Sequence, residues 1–270
     1  QSVRAAWPEI PDGLIEQIVD WANLRMQLLH KTLHDMDKLR EAFKLLARFS
    51  YPELGGDEAA LEREVNEKLQ VLVNYEGYAK DFTAQKNRDG IDQLMARYPY
   101  MEFWWDGELR RERPDHIIEA APFAGAVKRG KPFGQNAIFP HIRSKKVLFF
   151  DVNAGVLVVD AIKLANGLAE FRRDPKLKQV LFGEYIYNKD YSRSAQALGF
   201  AEETWTQATQ RTLNMFGAVG FYGHSGIMDR EALIVAGSLP HDFVSEDLML
   251  ATMMWLEGFH TTHKEYSLLG

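Results

Sequence analysis

The chain has no cysteine among its 270 residues. Disulfide scaffolds, thiolate zinc sites, iron–sulfur clusters and cysteine nucleophiles are therefore excluded. It also lacks an apolar run of about 18 residues or more, so the sequence offers no single membrane-spanning helix. The chain opens at Gln1, and the next residues have neither the basic start nor the apolar core of a signal peptide. We expect a piece of a larger protein, or a chain whose beginning is missing.

Basic residues are too few for a protein that coats nucleic acid. Lys and Arg number 32 against 38 Asp and Glu, a net charge of −6, whereas nucleic-acid binding needs a basic face. Apolar residues make up 46% of the chain and aromatic residues 12%, which is enough for a substantial core. The length fits one large domain or two small ones.

The hydrophobic pattern changes near residue 69. From 13 to 49, apolar residues recur at spacings of three and four, which predicts helices, and Asp57 is a candidate N-cap for a further short helix. After residue 69 the pattern predicts alternating strands and helices, typical of an α/β fold with a mostly parallel sheet covered on both faces. We predict an N-terminal helical segment, 1–68, and a second domain, 69–270. The predicted strands are 69–75, 100–105, 136–142, 146–150 and 180–187, and the predicted helices are 86–97, 159–172, 204–216 and 246–256.

Two of the predicted strands end in an acid, Asp106 and Asp151. Ligands of parallel sheets bind at the carboxyl ends of the strands, so these carboxylates could contact a ribose hydroxyl, a base edge or a divalent cation. Asp151 and Asn153, two residues apart, could direct two oxygens toward a magnesium ion that binds together with substrate phosphates. An ordinary turn at each position is the alternative.

The glycine-rich segment 130–136 carries one cation and two amides, Lys131, Gln135 and Asn136. Such a segment could hold a pyrophosphate or sugar hydroxyls. It is not a P-loop, because the Lys-Ser/Thr pair after the last glycine is missing. The alternative is an ordinary loop of glycine and proline.

Two further segments have both a structural and a functional interpretation. Ser245 could cap the helix that follows it, and Glu246 and Asp247 suit the positive end of the helix dipole. One of these carboxylates could instead take a proton from a hydroxyl nucleophile as a general base. Tyr222 and His224, on either side of a glycine, indicate either a turn or a loop that contacts substrate.

Taken in order, these segments resemble the catalytic region of the 1,3-β-glucan synthases, the callose synthases of plants and their fungal counterparts. The resemblance covers roughly residues 20–270. The similar motifs are Trp21 to Thr32, Gly130-Lys131 with Gln135 to Ile138, Asp151-Val152-Asn153, Tyr222-Gly223-His224, Ser245-Glu246-Asp247 and His263-Lys264-Glu265-Tyr266.

The resemblance implies a GT-A-type fold that moves glucose from UDP-glucose to a growing β-1,3-glucan chain with inversion. Such a displacement needs in-line geometry, one base and stabilisation of the departing UDP. The resemblance makes Asp247 the general base, with Glu246 beside it as the second catalytic residue. It implies donor contacts by Gly77, Lys80, Asp106, Lys131, Gln135, Asn136, Asp151 and Asn153, acceptor contacts by Tyr222 and His224, and a magnesium ion at Asp151.

The chain also departs from the family pattern. Ala154-Gly155 stands where the family has a further acid after Asn153, which leaves metal use open, and Ala236-Gly237-Ser238 replaces an Arg-Gly-Gly element. We expect a domain on the cytoplasmic side of a plasma-membrane protein. Its expected partners are a nucleotide-sugar donor, a glucan acceptor and membrane-spanning segments of a larger parent chain, with no nucleic acid. The alternatives are a related transferase with another nucleotide sugar or linkage, and a nucleotide-sugar-binding domain without turnover.

Overall fold

The computed structural model describes residues 11, 13–14, 26–75, 93–105, 108–109, 130–151, 155–184, 190, 192–240, 243 and 245–269. Helix α1 spans Met26–Ser50 and helix α2 spans Glu58–Lys68, with a 3-10 turn at Pro52–Leu54 between them. Asp57 caps α2 as predicted, since its carboxylate accepts a hydrogen bond from the Ala60 amide at 2.9 Å. The described part of the predicted N-terminal helices is therefore confirmed as helical.

The first strands form a small sheet. Strand β1, Val71–Tyr75, lies parallel to β2, Met101–Trp105, and the two begin in register at Val71 and Met101. The short strand β3, Glu108–Leu109, runs antiparallel to β2. Both β1 and β2 lie within the ranges predicted for strands.

The second sheet contains four of the described strands. These are β4, Lys146–Phe149; β5, Leu177–Glu184; β6, Gly226–Asp229; and β7, His260–Leu269. Their spatial order is β4-β6-β5-β7. Strand β6 is antiparallel to both of its neighbours, whereas β5 and β7 are parallel.

The α/β class with N-terminal helices is confirmed, but the described sheets are mixed rather than mostly parallel. The difference comes mainly from β6, which runs antiparallel to both β4 and β5. The short β3 also runs antiparallel to β2. Its four residues are all buried. A strand that is buried on both faces shows no alternation of polar and apolar residues, so the sequence pattern gave no strand at 226–229.

The helices after β3 are α3, Gly130–Ile138; α4, Asp160–Arg173; α5, Arg193–Thr204; α6, Gln210–Asn214; α7, Arg230–Val235; and α8, Glu246–Leu256. A π-helical turn, Trp205–Thr209, separates α5 from α6 and interrupts the helix predicted at 204–216. The strand predicted at 136–142 is wrong, because α3 is followed there by a 3-10 turn, Phe139–His141. Buried Ile138, Phe139 and Ile142 have the spacing of three and four that suits helical turns.

The largest core cluster joins the two sheets to the helices around them. It contains Trp104 of β2, Phe149 of β4, Met228 of β6 and Leu250 of α8, each at most 7% exposed. Because α3 and α8 are anchored in or beside this cluster, their first turns hold fixed positions relative to the strand ends. Helix α1 packs against both sheets through two smaller clusters.

Within the described ranges, no helix has both the length and the apolar character needed to cross a membrane. The division of the chain into residues 1–68 and 69–270 stays a prediction.

Asp229 fixes the end of β6 to both β4 and α7. Its carboxylate accepts hydrogen bonds from Lys146 Nζ at 2.5 Å and from the Ala232 amide at 3.1 Å. Burial opposes its ionisation, but these hydrogen bonds and the charges of Lys146 and Lys178 outweigh that cost and hold the pKa of Asp229 below its ordinary value of 3.8. The ionised form therefore stabilises the fold.

Asp229→Asn should lower the free energy of unfolding at neutral pH by about 2 kcal/mol, the usual scale of a hydrogen bond to a charged group. A lowered pKa contributes stability above the unfolded value and loses it as the pH falls through the folded value. The gap between wild type and variant should therefore close below about pH 4 in denaturant titrations. Asp190→Asn, an exposed control, should change stability by less than about 0.5 kcal/mol, and an equal loss in both variants would contradict the role of Asp229.

Candidate functional site

The pairing of β4 with β6 brings two polar segments to one edge of the second sheet. Phe149, the last residue of β4, lies opposite Gly226, the first residue of β6. The Ser225 amide donates to the Phe149 carbonyl at 3.1 Å and continues this pairing by one step. Residues that leave β4 therefore lie beside residues that enter β6, and Asp151 comes next to the segment 222–225.

The segment 222–225 is held against β5 as well. The Tyr222 hydroxyl donates to the Phe182 carbonyl, and the Phe182 amide donates to the Ser225 carbonyl at 2.9 Å. Ser225 is fully buried and has a positive φ of 55°. The Tyr222 and His224 rings lie 5.1 Å apart, edge to face. The structure thus brings both predicted acceptor residues to the same edge as Asp151.

Gly223 lies where two charged side chains approach the backbone. Its φ is +90°, a conformation that favours glycine. A Cβ atom at this position would lie 3.3 Å from Lys131 Nζ and 3.3 Å from Asp247 Oδ2. The ammonium and the carboxylate oxygen are therefore separated by at most twice that distance. A side chain at residue 223 would crowd both groups.

Lys131 also pairs with Asp151. Its Nζ lies 2.8 Å from Asp151 Oδ1, and the two side chains are 38% and 34% exposed. An ion pair this open to water contributes little to stability, so fold stability alone does not account for it. Lys131 comes from the first turn of α3, and its ammonium contacts Asp151 and lies near Asp247.

Asp247 and Glu246 lie in the first turn of α8, where carboxylates suit the helix dipole. The Leu248 amide donates to Asp247 Oδ1 at 2.7 Å, and Asp247 Oδ2 lies on the side of Gly223. Ser245 occupies the predicted N-cap position, but its side chain makes no capping hydrogen bond. The first turn of α8 is therefore stabilised by its acids and not by a serine cap.

Asn136 has a structural role that the sequence did not indicate. It is 5% exposed, its Nδ2 donates to the Leu239 carbonyl at 2.8 Å, and its Oδ1 accepts from the Leu239 amide at 3.1 Å. These two hydrogen bonds link α3 to the segment after α7. The neighbouring Gln135 is half-buried, and the donor contacts of both residues stay predictions.

Four predicted donor residues, Gly77, Lys80, Asp106 and Asn153, lie outside the described residues. The sequence analysis did not predict Gly223 as a site residue. Its position between Tyr222 and His224 could have indicated it, but a sequence does not show that two charged groups approach its backbone.

Among the described residues, Asp151 and Asp247 are the carboxylates near Lys131 at this edge. Within the parts of the chain that the structure describes, no group of three or more His, Asp or Glu side chains could hold a metal ion. Asp151 is the carboxylate that pairs directly with Lys131. One protein carboxylate together with substrate phosphates and water is a common way of binding magnesium, so Asp151 fits that limited part.

The chain is similar in sequence to 1,3-β-glucan synthases of fungi and callose synthases of plants, which confirms the resemblance seen in the motifs. It is 24% identical to the 1,3-beta-glucan synthase component bgs1 of Schizosaccharomyces pombe over 91% of the chain. It is 26% identical to the putative callose synthase 8 of Arabidopsis thaliana over 96% of the chain. The chain spans 17% and 15% of these two relatives. No protein-family model matches it.

Among solved structures, the chain is similar to the mannosyltransferase PcManGT from Pyrobaculum calidifontis, solved in complex with GDP-Man and Mn2+. The TM-score is 0.46 with 14% sequence identity, covering 90% of this chain and 67% of that chain.

Asn136→Ala should lower the free energy of unfolding by about 3 kcal/mol, because the buried Leu239 amide and carbonyl would both lose their partner. Thermal and denaturant unfolding would measure the change. Gln135→Ala is a matched control on the same helix, and its effect should stay below about 1 kcal/mol. Equal stability of wild type and Asn136→Ala would show that the amide does not link α3 to residue 239.

Proposed function

We propose that this chain is the donor-binding and catalytic part of an inverting, GT-A-type glucosyltransferase that uses UDP-glucose and makes β-1,3-glucan. The observation that carries the proposal is that Lys131 and Asp247 both approach the backbone of Gly223, while Lys131 also pairs with Asp151. The likeness to relatives named glucan synthases and callose synthases supports the reaction class.

Asp247 is the proposed general base. Its Oδ1 is tied to the Leu248 amide, which fixes the carboxylate with Oδ2 toward Gly223. An acceptor hydroxyl would give its proton to Asp247 while its oxygen forms a bond to the anomeric carbon of glucose. The bond from that carbon to the β-phosphate oxygen breaks, and its electron pair leaves with UDP. A single displacement of this kind converts an α-linked donor into a β-linked product.

Lys131 is the proposed phosphate-binding residue. Negative charge grows on the diphosphate as the bond to glucose breaks, and a positioned ammonium stabilises that charge. The 2.8 Å contact with Asp151 keeps the ammonium at this edge of the sheet before the donor binds. Since both partners are about one third exposed, diphosphate oxygens can reach Lys131 without unfolding of the site.

Asp151 is the residue that would hold a divalent cation, with donor phosphate oxygens as further ligands. When bound, such a cation would add positive charge beside the departing diphosphate. Tyr222 and His224 are the proposed acceptor contacts because they flank Gly223 at the position where the acceptor hydroxyl must meet Asp247. Glu246 is the second proposed catalytic residue. Gly77, Lys80, Asp106 and Asn153 stay proposed donor contacts, together with Gln135 and Asn136.

Calorimetric titration with UDP-glucose, UDP and ADP-glucose, with and without magnesium, tests the donor. We expect saturable binding of the uridine compounds and at least tenfold weaker binding of ADP-glucose. Lys131→Ala should weaken UDP by about tenfold or more and leave uridine nearly unchanged, because one charged hydrogen bond contributes on that scale. Equal losses for UDP and uridine would exclude a phosphate role for Lys131. Selective binding of another nucleotide sugar would replace UDP-glucose as the donor.

Asp247→Asn should lower the rate of glucosyl transfer by a factor on the order of 10² to 10⁴, the usual scale for a general base, with UDP affinity nearly intact. The release of UDP from UDP-glucose in the presence of a β-1,3-glucan oligosaccharide measures the rate. Glu257→Gln, an exposed acid just after α8, is the matched control and should keep the wild-type rate. Wild-type transfer by Asp247→Asn would remove Asp247 as the base. Donor binding without transfer by the wild-type chain would favour a binding domain.

A further inference from the structure

Asn74 of β1 and Gly134 of α3 approach each other more closely than two ordinary residues could. A Cβ atom on Gly134 would lie 2.8 Å from Asn74 Nδ2 and 3.0 Å from Asn74 Oδ1. Glycine is among the poorest helix formers, so its presence inside α3 needs a reason. The close approach supplies one, because any larger residue would displace the Asn74 amide.

The same contact relates Asn74 to the proposed phosphate site. Gly134 follows Lys131 by three residues in α3, and residues at this spacing share one face of a helix. Along the helix axis, three residues correspond to about 4.5 Å. The Asn74 amide therefore rests on the face of α3 that carries Lys131 and lies less than one helical turn further along it.

Asn74 also lies at the end of the sheet where ligands of parallel strands bind. It is the second-last residue of β1, it is paired in register with Trp104 of β2, and its side chain is half-buried. The carboxyl ends of parallel strands are the usual place for nucleotide contacts. Helix α3 thus bridges two strand ends, with Asn74 at β1 and the Lys131–Asp151 pair at β4.

We propose that Asn74 is a specificity-determining residue that binds the uracil edge of the donor nucleotide; this rests on the function proposed above. A nucleoside diphosphate has its base and its phosphates at opposite ends, so a phosphate-binding lysine and a base-binding residue must lie on one surface but apart. Asn74 lies at the end of β1 and the Lys131–Asp151 pair at the end of β4, with α3 in contact with both. The asparagine side chain carries a carbonyl acceptor next to an NH₂ donor. The uracil edge carries the N3–H donor next to carbonyl acceptors, and the two edges can form a pair of hydrogen bonds.

Binding of UDP and of 3-methyl-UDP, in which a methyl group replaces the N3 hydrogen, tests the proposal directly. A site built to hydrogen-bond a ligand N–H rejects the analogue that lacks it. Wild type should bind UDP about tenfold more tightly than 3-methyl-UDP. Asn74→Ala should bind the two ligands within about twofold of each other. Lys131→Ala should lose affinity for both and keep the tenfold preference, because its partner is the phosphate.

Gly134→Ala provides a second route to the same contact. The added methyl group must displace the Asn74 amide, so this variant should also lose the preference for UDP, although alanine favours the helix. It keeps the proposal testable if Asn74→Ala does not fold, and circular dichroism would establish folding in both. Gln196→Ala, an exposed amide on α5, is the control and should retain the tenfold preference.

Each outcome bears on a different part of the proposal. Retention of the tenfold preference by folded Asn74→Ala or Gly134→Ala would overturn the role of Asn74 and leave the donor assignment intact. Equal binding of UDP and 3-methyl-UDP by wild type would also overturn that role. A folded wild-type chain that binds neither ligand would overturn both the uridine donor and the base contact.

Discussion

The antiparallel register of β4 and β6 is the constraint on which the site depends. It sets the residues that follow β4 beside the residues that precede β6 and so brings Asp151 next to the segment 222–225. The Tyr222 hydroxyl donates to the Phe182 carbonyl and the Phe182 amide donates to the Ser225 carbonyl, which fixes this segment to β5. At the opposite end, Asp229 and Lys146 close the same pair of strands. The register is therefore fixed at both ends.

In helix α3, one residue stabilises the fold and another belongs to the proposed site. Its buried Asn136 uses both amide atoms on Leu239 and anchors the helix. Its half-exposed Lys131 reaches Asp151 and the surroundings of Gly223. The anchored helix places Lys131 at this edge of the sheet and Asp151 holds its ammonium there, as a site that must keep a fixed geometry requires.

The sequence predicted much of this arrangement, and its failures have physical causes. The Asp57 cap, the strands β1, β2 and β4, and the helices α4 and α8 follow from local periodicity and capping chemistry, which a sequence records directly. The structural role of Asn136 was missed because an amide that binds a backbone and one that binds a ligand look identical in sequence. Helix α3 was missed because Gly130, Pro132 and Gly134 are typical of loops. Ile138 and Phe139 at its C-terminal end are buried, and that burial depends on the fold. Lys131, Asp151 and Asp247 were singled out by motif, but their mutual distance depends on the fold.

Gly223 limits how this protein can change over evolutionary time. Every amino-acid substitution at this position adds a side chain that would meet both Lys131 and Asp247 in a backbone conformation that disfavours it. A larger residue would therefore require Lys131 and Asp247 to shift. A lineage that replaced this glycine would change the spacing of two charged groups in one step.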